Sequence, residues 1–275
     1  MTVFRFLPIF AFREKEVFVF NIEAFDIKLN TEFIGRNFVY AEELSSTNSF
    51  LVDKNSNYNN NGTVVLAEKQ SAGRGRMDRT WYSQKDQNLT FSILLKGNKK
   101  LNSRINLINF AATLAVAMSI ENLYQQRTHL KWPNDVLLSG KKVSGILIES
   151  TSSGSRIERI VVGIGINVNQ SIFQGKFNIE PTSIRNEIND MVDRERFLAE
   201  VLNNFEWLLN KVTENGEFIL KEWRERCNML GEKITVSDGT KTQYGIFEDI
   251  DDSGFLLLKT KEKVERIHFG DVSIV

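Results

Sequence analysis

Short apolar runs separated by turn residues fill the chain from Phe38 to Val168, and most are too short to be helices. Residues 38–41, 63–68, 89–95, 129–132, 136–138, 143–149 and 160–167 read as strands. Between the third and fourth of these the period changes. Ile105, Ile108, Ala112, Ala115 and Met118 recur every three or four positions, which predicts a helix over about 103–124. Ala111, Ala117 and Ser119 on its other faces allow close approach of neighbours, so the helix should be buried against a sheet. The segment from Asp135 to Val143 predicts a hairpin with its turn at Ser139-Gly140.

Helical spacing returns at about 190–212, where Phe197, Val201, Phe205 and Leu208 form one stripe. A further helix is predicted over about 217–229 and includes Trp223 and Cys227. After Gly231 the pattern shortens again. Runs at 233–236, 243–248, 255–258, 264–268 and 272–275 are divided by Ser237-Asp238-Gly239 and Asp251-Asp252-Ser253-Gly254. They predict a small β-barrel of roughly 45 residues that must lean on the larger domain. Residues 55–61 are polar without apolar periodicity and read as a surface loop.

The 275 residues exceed the usual size of one domain, and a prior of about 150 residues per domain gives about two. With 41% hydrophobic and 25% charged residues the chain has an ordinary globular composition. Its twenty phenylalanines read as core volume. Thirty-five basic residues balance thirty-five acidic ones, which argues against a general polyanion-binding surface and allows a local basic loop. A single cysteine, Cys227, cannot form an internal disulfide, so a reducing compartment is expected. Near the start, Arg5, Arg13, Glu14, Lys15 and Glu16 interrupt the apolar residues. The longest clean run, 6–12, is too short to span a bilayer, and no small-residue cleavage site follows it. No membrane association and a cytoplasmic location are expected.

Four segments carry candidate chemistry. Gln70-Ser71-Ala72-Gly73-Arg74-Gly75-Arg76 follows an apolar strand. Its glycines let the backbone wrap a ligand, its N–H groups can form an anion nest, and its arginines suit carboxylate or phosphate. The same residues also fit a solvated basic loop, and neither the P-loop nor the dinucleotide spacing is present. Lys131-Trp132-Pro133-Asn134-Asp135 puts a lysine at a strand end, where it can neutralise a phosphate; it also fits an ordinary turn. Gly163-Ile164-Gly165-Ile166-Asn167 has two glycines inside a strand, explained either by a flat ligand or by tight packing. Asn167 carries the donor and acceptor that suit a base edge such as adenine. In Ser45-Ser46-Thr47-Asn48, a hydroxyl serves as a helix N-cap or meets a ligand carbonyl. Trp81 is either a lid over a ligand or a core aromatic.

The two histidines, His129 and His268, are far apart in sequence and have no paired Cys, so a zinc site is not expected. Asp78, Asp86, Asp135 and Glu149 are candidate magnesium ligands, but their spacing selects none. No nucleophile elbow occurs, and Cys227 reads as core. A nucleotide phosphate bound beside a small acid suggests carboxylate activation by ATP. There the bound carboxylate is itself the nucleophile, and the protein positions it and neutralises charge.

In these segments the chain resembles the catalytic and C-terminal parts of biotin protein ligases. The blocks that carry the resemblance are Ser46-Thr47-Asn48, Gln70 with Gly73-Arg74-Gly75-Arg76 and Trp81, Lys131 to Asp135, Lys142-Val143-Ser144-Gly145-Ile146-Leu147-Ile148-Glu149, and Gly163 to Asn167. The resemblance covers about residues 33–275. It implies an α+β fold of the class II synthetase and biotin/lipoate ligase kind, a mixed sheet with flanking helices plus a small C-terminal SH3-like β-barrel. The implied division is an extension at 1–32 without an assigned role, a biotin- and ATP-binding domain at 33–230 and the barrel at 231–275.

It also implies that biotin and ATP, with magnesium, give biotinyl-5′-adenylate and pyrophosphate, after which biotin passes to a lysine of a biotin carboxyl carrier protein. By resemblance, Ser46, Thr47, Asn48 and Gln70 bind biotin, the first two and Gln70 at its ureido end. The Gly73–Arg76 loop, with Gly73, Arg74 and Gly75 at the biotin, closes over the carboxylate and phosphate and orders when ligand binds, and Gly145 shapes the channel for the biotin tail. Arg76 and Lys131 are the catalytic pair, with Lys131 on the α-phosphate and acyl oxygen. Arg74, Trp81, Asn134 and Asn167 complete the ATP and adenylate site, Asn167 at the adenine.

Many relatives carry an N-terminal helix-turn-helix that represses biotin synthesis genes. None is recognisable before Ser46, so no repressor activity and no DNA partner are expected. Met77-Asp78-Arg79 stands where relatives often have a glycine, which bears on loop dynamics. The rivals are a lipoate ligase, an octanoyl transferase, which needs a thiol nucleophile, and a non-catalytic interaction protein. Monomer and homodimer both remain open.

Overall fold

The computed structural model describes residues 19–54, 57–154 and 156–275. The 6–12 run, most of the 1–32 extension and two residues of the polar 55–61 loop lie outside them. Seven strands form the main sheet: β1 (Phe38–Leu44), β2 (Val64–Gln70), β3 (Leu89–Lys96), β4 (Thr128–Lys131), β5 (Asp135–Leu138), β6 (Lys141–Ser153) and β7 (Arg156–Ile166), in the order β1-β2-β3-β7-β6-β5-β4. Only β1 and β2 run parallel, joined through α2 (Thr47–Val52); every other neighbouring pair is antiparallel. This is the mixed sheet that the sequence implied. The hairpin turn falls at Ser139 and Gly140, with φ of 51° and 76°, the left-handed pair that a two-residue turn needs to match strand twist.

The long central helix α4 (Ile105–Tyr124) lies between the sheet and α6 (Arg194–Glu214). Its alanines at 111, 112, 115 and 117 bring the neighbours close, and all are buried. By length and composition α4 passes for a membrane span, yet 67% of its apolar window is buried within the protein, which is how a core helix behaves. Phe110 stacks on Trp223 of α7 (Gly216–Arg226) at 4.6 Å, joining α7 to the same core. The helix predicted over 217–229 stops earlier. Cys227 is its C-cap in extended conformation and bridges Leu130 of β4. The short helices α1 (Ile22–Asp26), α3 (Lys99–Asn102) and α5 (Ile184–Ile188) were not anticipated, being too brief to show a period.

Residues 19–34 run along α6 and are fastened to it. The Glu206 carboxylate accepts hydrogen bonds from the successive backbone N–H groups of Glu32, Phe33 and Ile34, at 2.5, 3.0 and 2.8 Å. Phe20, Phe25 and Leu29 are buried beneath this strap. At the start of α6, Arg194 forms a bidentate pair with Glu68 of β2, at 2.6 and 3.1 Å, where both side chains are almost wholly buried. The Tyr40 hydroxyl also donates to Glu68, and burial together with that carboxylate pushes its pKa up to about 12.

The last five strands, β8 (Lys233–Ser237), β9 (Thr242–Ile250), β10 (Leu256–Lys259), β11 (Val264–Ile267) and β12 (Asp271–Ile274), form a separate antiparallel sheet in the order β11-β10-β9-β8-β12. It docks on the larger body through a shared apolar core, where Phe247 meets Trp223 at 6.5 Å, and through polar contacts. Arg224 donates to Asp249 at 2.7 Å, the Trp132 indole to Gly254 O at 3.2 Å, and Asn106 to Ser253 O at 3.0 Å.

Replacing Arg194 by Leu strands the Glu68 carboxylate in the core. Loss of one partner from a buried pair typically costs about 3–5 kcal/mol, and the urea midpoint should fall accordingly. A midpoint within error of the parent would show that Glu68 is not held by this pair.

Candidate functional site

The antiparallel registers line up one residue from each of five strands. Thr90 pairs with Gly165, Gly165 with Gly145, Gly145 with Asp135, and Asp135 with Lys131. Directly opposed residues share a face, so these five form a row across the sheet with Lys131 at one end and no side chain in the middle. The next row towards α2 repeats the pattern with Ser92, Gly163 and Leu147. The result is a trough floored by backbone, within a cavity of about 490 Å³.

Each bare position is covered. A Cβ on Gly163 would collide with the Asn48 amide, and one on Gly165 with the Trp81 indole. Tight packing therefore explains the glycines as well as a ligand would. Both readings hold here, because Asn48 and Trp81 also line the cavity.

One end of the trough is a polar nest at the start of α2. Ser46 is its N-cap, as the sequence allowed, and its side chain accepts from Ser49 N at 3.4 Å. The Gln70 side-chain oxygen Oε1 accepts from the Thr47 N–H at 2.7 Å and from its hydroxyl at 3.1 Å. Ser92 Oγ contacts Thr47 Oγ1 and Asn48 Oδ1 at 2.7 and 2.6 Å. Asn48 Nδ2 donates to Leu147 O and Glu149, at 3.1 and 2.8 Å, and Glu149 binds Arg74 at 2.7 and 2.8 Å. Asn48 thus commits its amide to the protein.

The other end is cationic. Lys131 and Arg76 both have lowered pKa values, chiefly because burial disfavours their charge, with Asp135 and Asp271 opposing the shift. Arg76 donates to Asn134 Oδ1 at 3.2 Å and Gly270 O at 3.1 Å, and lies 3.8 Å from Asp271. Arg79 pairs with the same aspartate. The C-terminal sheet therefore forms part of the wall through Asp271, Val272 and Ser273. Lys142 lies between Asp135, at 2.6 Å, and the face of Trp81, 5.8 Å from its centroid.

Of the residues read from sequence, Ser46, Thr47, Asn48, Gln70, Arg74, Gly75, Arg76, Trp81, Lys131, Asn134, Gly145 and Asn167 line this one cavity. Gly73 lies behind the wall, where a Cβ would collide with the Trp81 carbonyl. Asn167 donates its Nδ2 to Thr182 O at 3.0 Å, leaving its oxygen for a ligand donor. Asn134 holds Arg76 and donates to Ile146 O at 2.5 Å, so it braces the wall. Met77 and Asp78 have left-handed φ of 54° and 57°, the conformation that a glycine adopts without penalty.

Sequence reading missed Thr90, the C-terminal wall and the segment from Gln170 to Pro181, which closes the side of the cavity near Asn167 with Phe173, Lys176 and Phe177. That segment lacks periodicity, and Asp271 reaches the site only by domain docking. Cys227 lies off the cavity wall, and burial pushes its thiol up to about 11, so it is no nucleophile for acyl transfer.

Residues 40–167 match the Biotin/lipoate A/B protein ligase family, and residues 229–275 match the biotin protein ligase C-terminal domain. The chain is 34% identical over 249 residues to the bifunctional ligase/repressor BirA of Bacillus subtilis, covering 90% of this chain and 76% of that protein. It is 37% identical over 201 residues to the biotin–[acetyl-CoA-carboxylase] ligase of Paracoccus denitrificans, covering 71% and 83%. Among solved structures, the biotin protein ligase from Aquifex aeolicus in complex with biotin and ATP is similar with a TM-score of 0.75 and 29% identity, over 87% of this chain and 99% of that one. Glycine trough, cationic end, docked C-terminal sheet and these likenesses agree: the chain belongs to the Biotin/lipoate A/B protein ligase family, on its biotin protein ligase side.

Proposed function

We propose that this cavity binds biotin along the glycine trough with its ureido end in the Ser46, Thr47 and Gln70 nest, and ATP with its phosphates at Arg76 and Lys131. The observation that carries this reading is the row of residues from Thr90 to Lys131, a floor of backbone roofed by Trp81 that ends on a desolvated ammonium. A biotin carboxylate oxygen attacks the α-phosphorus and the bond to the β-phosphate bridging oxygen breaks, releasing pyrophosphate. Arg76 and Lys131 neutralise the negative charge gathered there, and their partial burial strengthens that attraction.

In the second step a neutral lysine amine of a biotin carboxyl carrier protein attacks the acyl carbonyl. AMP departs and the amine proton goes to solvent. The Trp81 and 170–181 walls keep water from the mixed anhydride until then. Among the described residues no three His, Cys, Asp or Glu form a cluster for a metal ion. Magnesium arriving with ATP would be held by the phosphates and one carboxylate and would screen the phosphate charge; Asp135, in the cavity beside Lys131, would exchange its Lys142 partner at 2.6 Å to serve there. With ATP as co-substrate, the reaction belongs in the cytoplasm.

ATP–pyrophosphate exchange with the purified chain should be stimulated by biotin and not by lipoate or octanoate. Equal stimulation by either of the other acids would sink the assignment of biotin to the trough.

Substituting Ala at Arg76 or at Lys131 should slow adenylate formation about 100-fold or more, the usual effect of removing one preorganised charge-stabilising donor. A wild-type rate at either position would remove that residue from its role.

Lys131 also makes a stability prediction. Its lowered folded pKa means that the buried ammonium weakens the ligand-free fold at neutral pH. Between that lowered value and the ordinary 10.5, the unfolded chain holds more protons, so stability climbs with pH through this window. Lys131→Met should raise the melting temperature of the ligand-free protein at pH 7 and flatten the rise at alkaline pH. An unchanged slope in the variant would rule out Lys131 as its source.

A further inference from the structure

Two hydroxyls on β3 face the trough two residues apart, and the protein treats them differently. Ser92 is bonded to Thr47 and Asn48 at 2.7 and 2.6 Å. Thr90 is only 5% exposed, yet its Oγ1 has no hydrogen-bond partner. The Trp81 Nε1 atom is likewise buried and unpartnered. These two donors meet over one glycine. A Cβ on Gly165 would lie 2.6 Å from Trp81 Nε1, and Thr90 stands directly opposite Gly165 on the adjacent strand. Opposed antiparallel residues hold their Cβ positions about 4.5–5.5 Å apart on the same face. Both side chains line the cavity.

Native proteins leave few buried polar atoms unpaired, and a valine would fill the Thr90 position with the same shape and no polar cost. We infer that the Thr90 hydroxyl and the Trp81 indole N–H form a two-donor clamp for a single acceptor atom of the bound ligand, which makes Thr90 a specificity-determining residue. The clamp rests on the reading of the cavity as the biotin and ATP site. Its chemistry selects a ligand oxygen or ring nitrogen at the middle of the trough and disfavours an apolar group, which would leave both donors unpaired. The acceptor belongs either to the biotin half or to the nucleotide half of the adenylate.

The test uses the full chain with Thr90→Val and Thr90→Ser. Calorimetric titration with biotin alone, ATP alone, and biotin in the presence of ATP is combined with thermal melting without ligand. Thr90→Val should melt at or above the parent temperature, because it removes an unpaired buried hydroxyl. It should bind one ligand about five- to tenfold more weakly, the usual effect of one lost hydrogen bond. Thr90→Ser should recover most of that affinity. The indole proton of Trp81, assigned with Trp81→Phe, should shift downfield on adding that same ligand.

A loss seen with biotin alone assigns the acceptor to the biotin half; a loss confined to titrations containing ATP assigns it to the nucleotide half. Parent affinity in Thr90→Val, no recovery in Thr90→Ser, or a Thr90→Val chain that melts well below the parent would each overturn the clamp. Failure of the parent chain to bind biotin or ATP would instead overturn the reading of the cavity, and the two failures are told apart by the parent titration.

Discussion

The site depends on three missing side chains. Gly145, Gly163 and Gly165 lie on the two adjacent strands β6 and β7, and Gly145 and Gly165 face each other in register. A flat ligand can lie on a sheet only where nothing projects from it, and Gly145 and Gly165 in one row with Gly163 in the next make that floor. The same gap admits the Asn48 amide and the Trp81 indole from above. Those two residues tie the start of α2 and the arginine loop to the sheet. One alanine at 163 or 165 would therefore displace the walls as well as the floor.

Much of this was legible in the chain because it is local. Strand periods, the left-handed turn at Ser139 and Gly140, and the Ser46 cap follow from neighbours within a few residues. The arginine loop, the lysine strand end and the glycine strand announced themselves as polar or glycine punctuation in apolar runs. Their shared cavity did not follow from any one of them, and it was the order of several blocks that suggested it. Registers depend on long-range pairing, so the row from Thr90 to Lys131 could not be read ahead of the fold. Thr90 itself looked like an ordinary strand residue, since threonine suits strands whether or not its hydroxyl is paired.

What sequence reading missed is mostly tertiary. The segment from residue 19 to 34 holds to α6 through a carboxylate 172 to 174 residues away. Asp271 enters the cavity from a separate sheet. Asn48 lines the cavity with its amide already bonded to Ser92, Leu147 and Glu149, commitments to other strands that its own segment does not show. Asn134 acts in the same way behind Arg76.

The bond from Arg76 to the carbonyl of Gly270 joins residues 194 positions apart. A ribosome adding about 5–20 residues per second needs roughly 10–40 s to make that interval. About halfway through that interval the glycine strand joins the arginine loop, while the carbonyl that accepts from the arginine is still to come. Until then Arg76 lacks both the Gly270 carbonyl and the nearby Asp271 carboxylate, so its place in the cavity wall is set only when the last strand of the small sheet has been made.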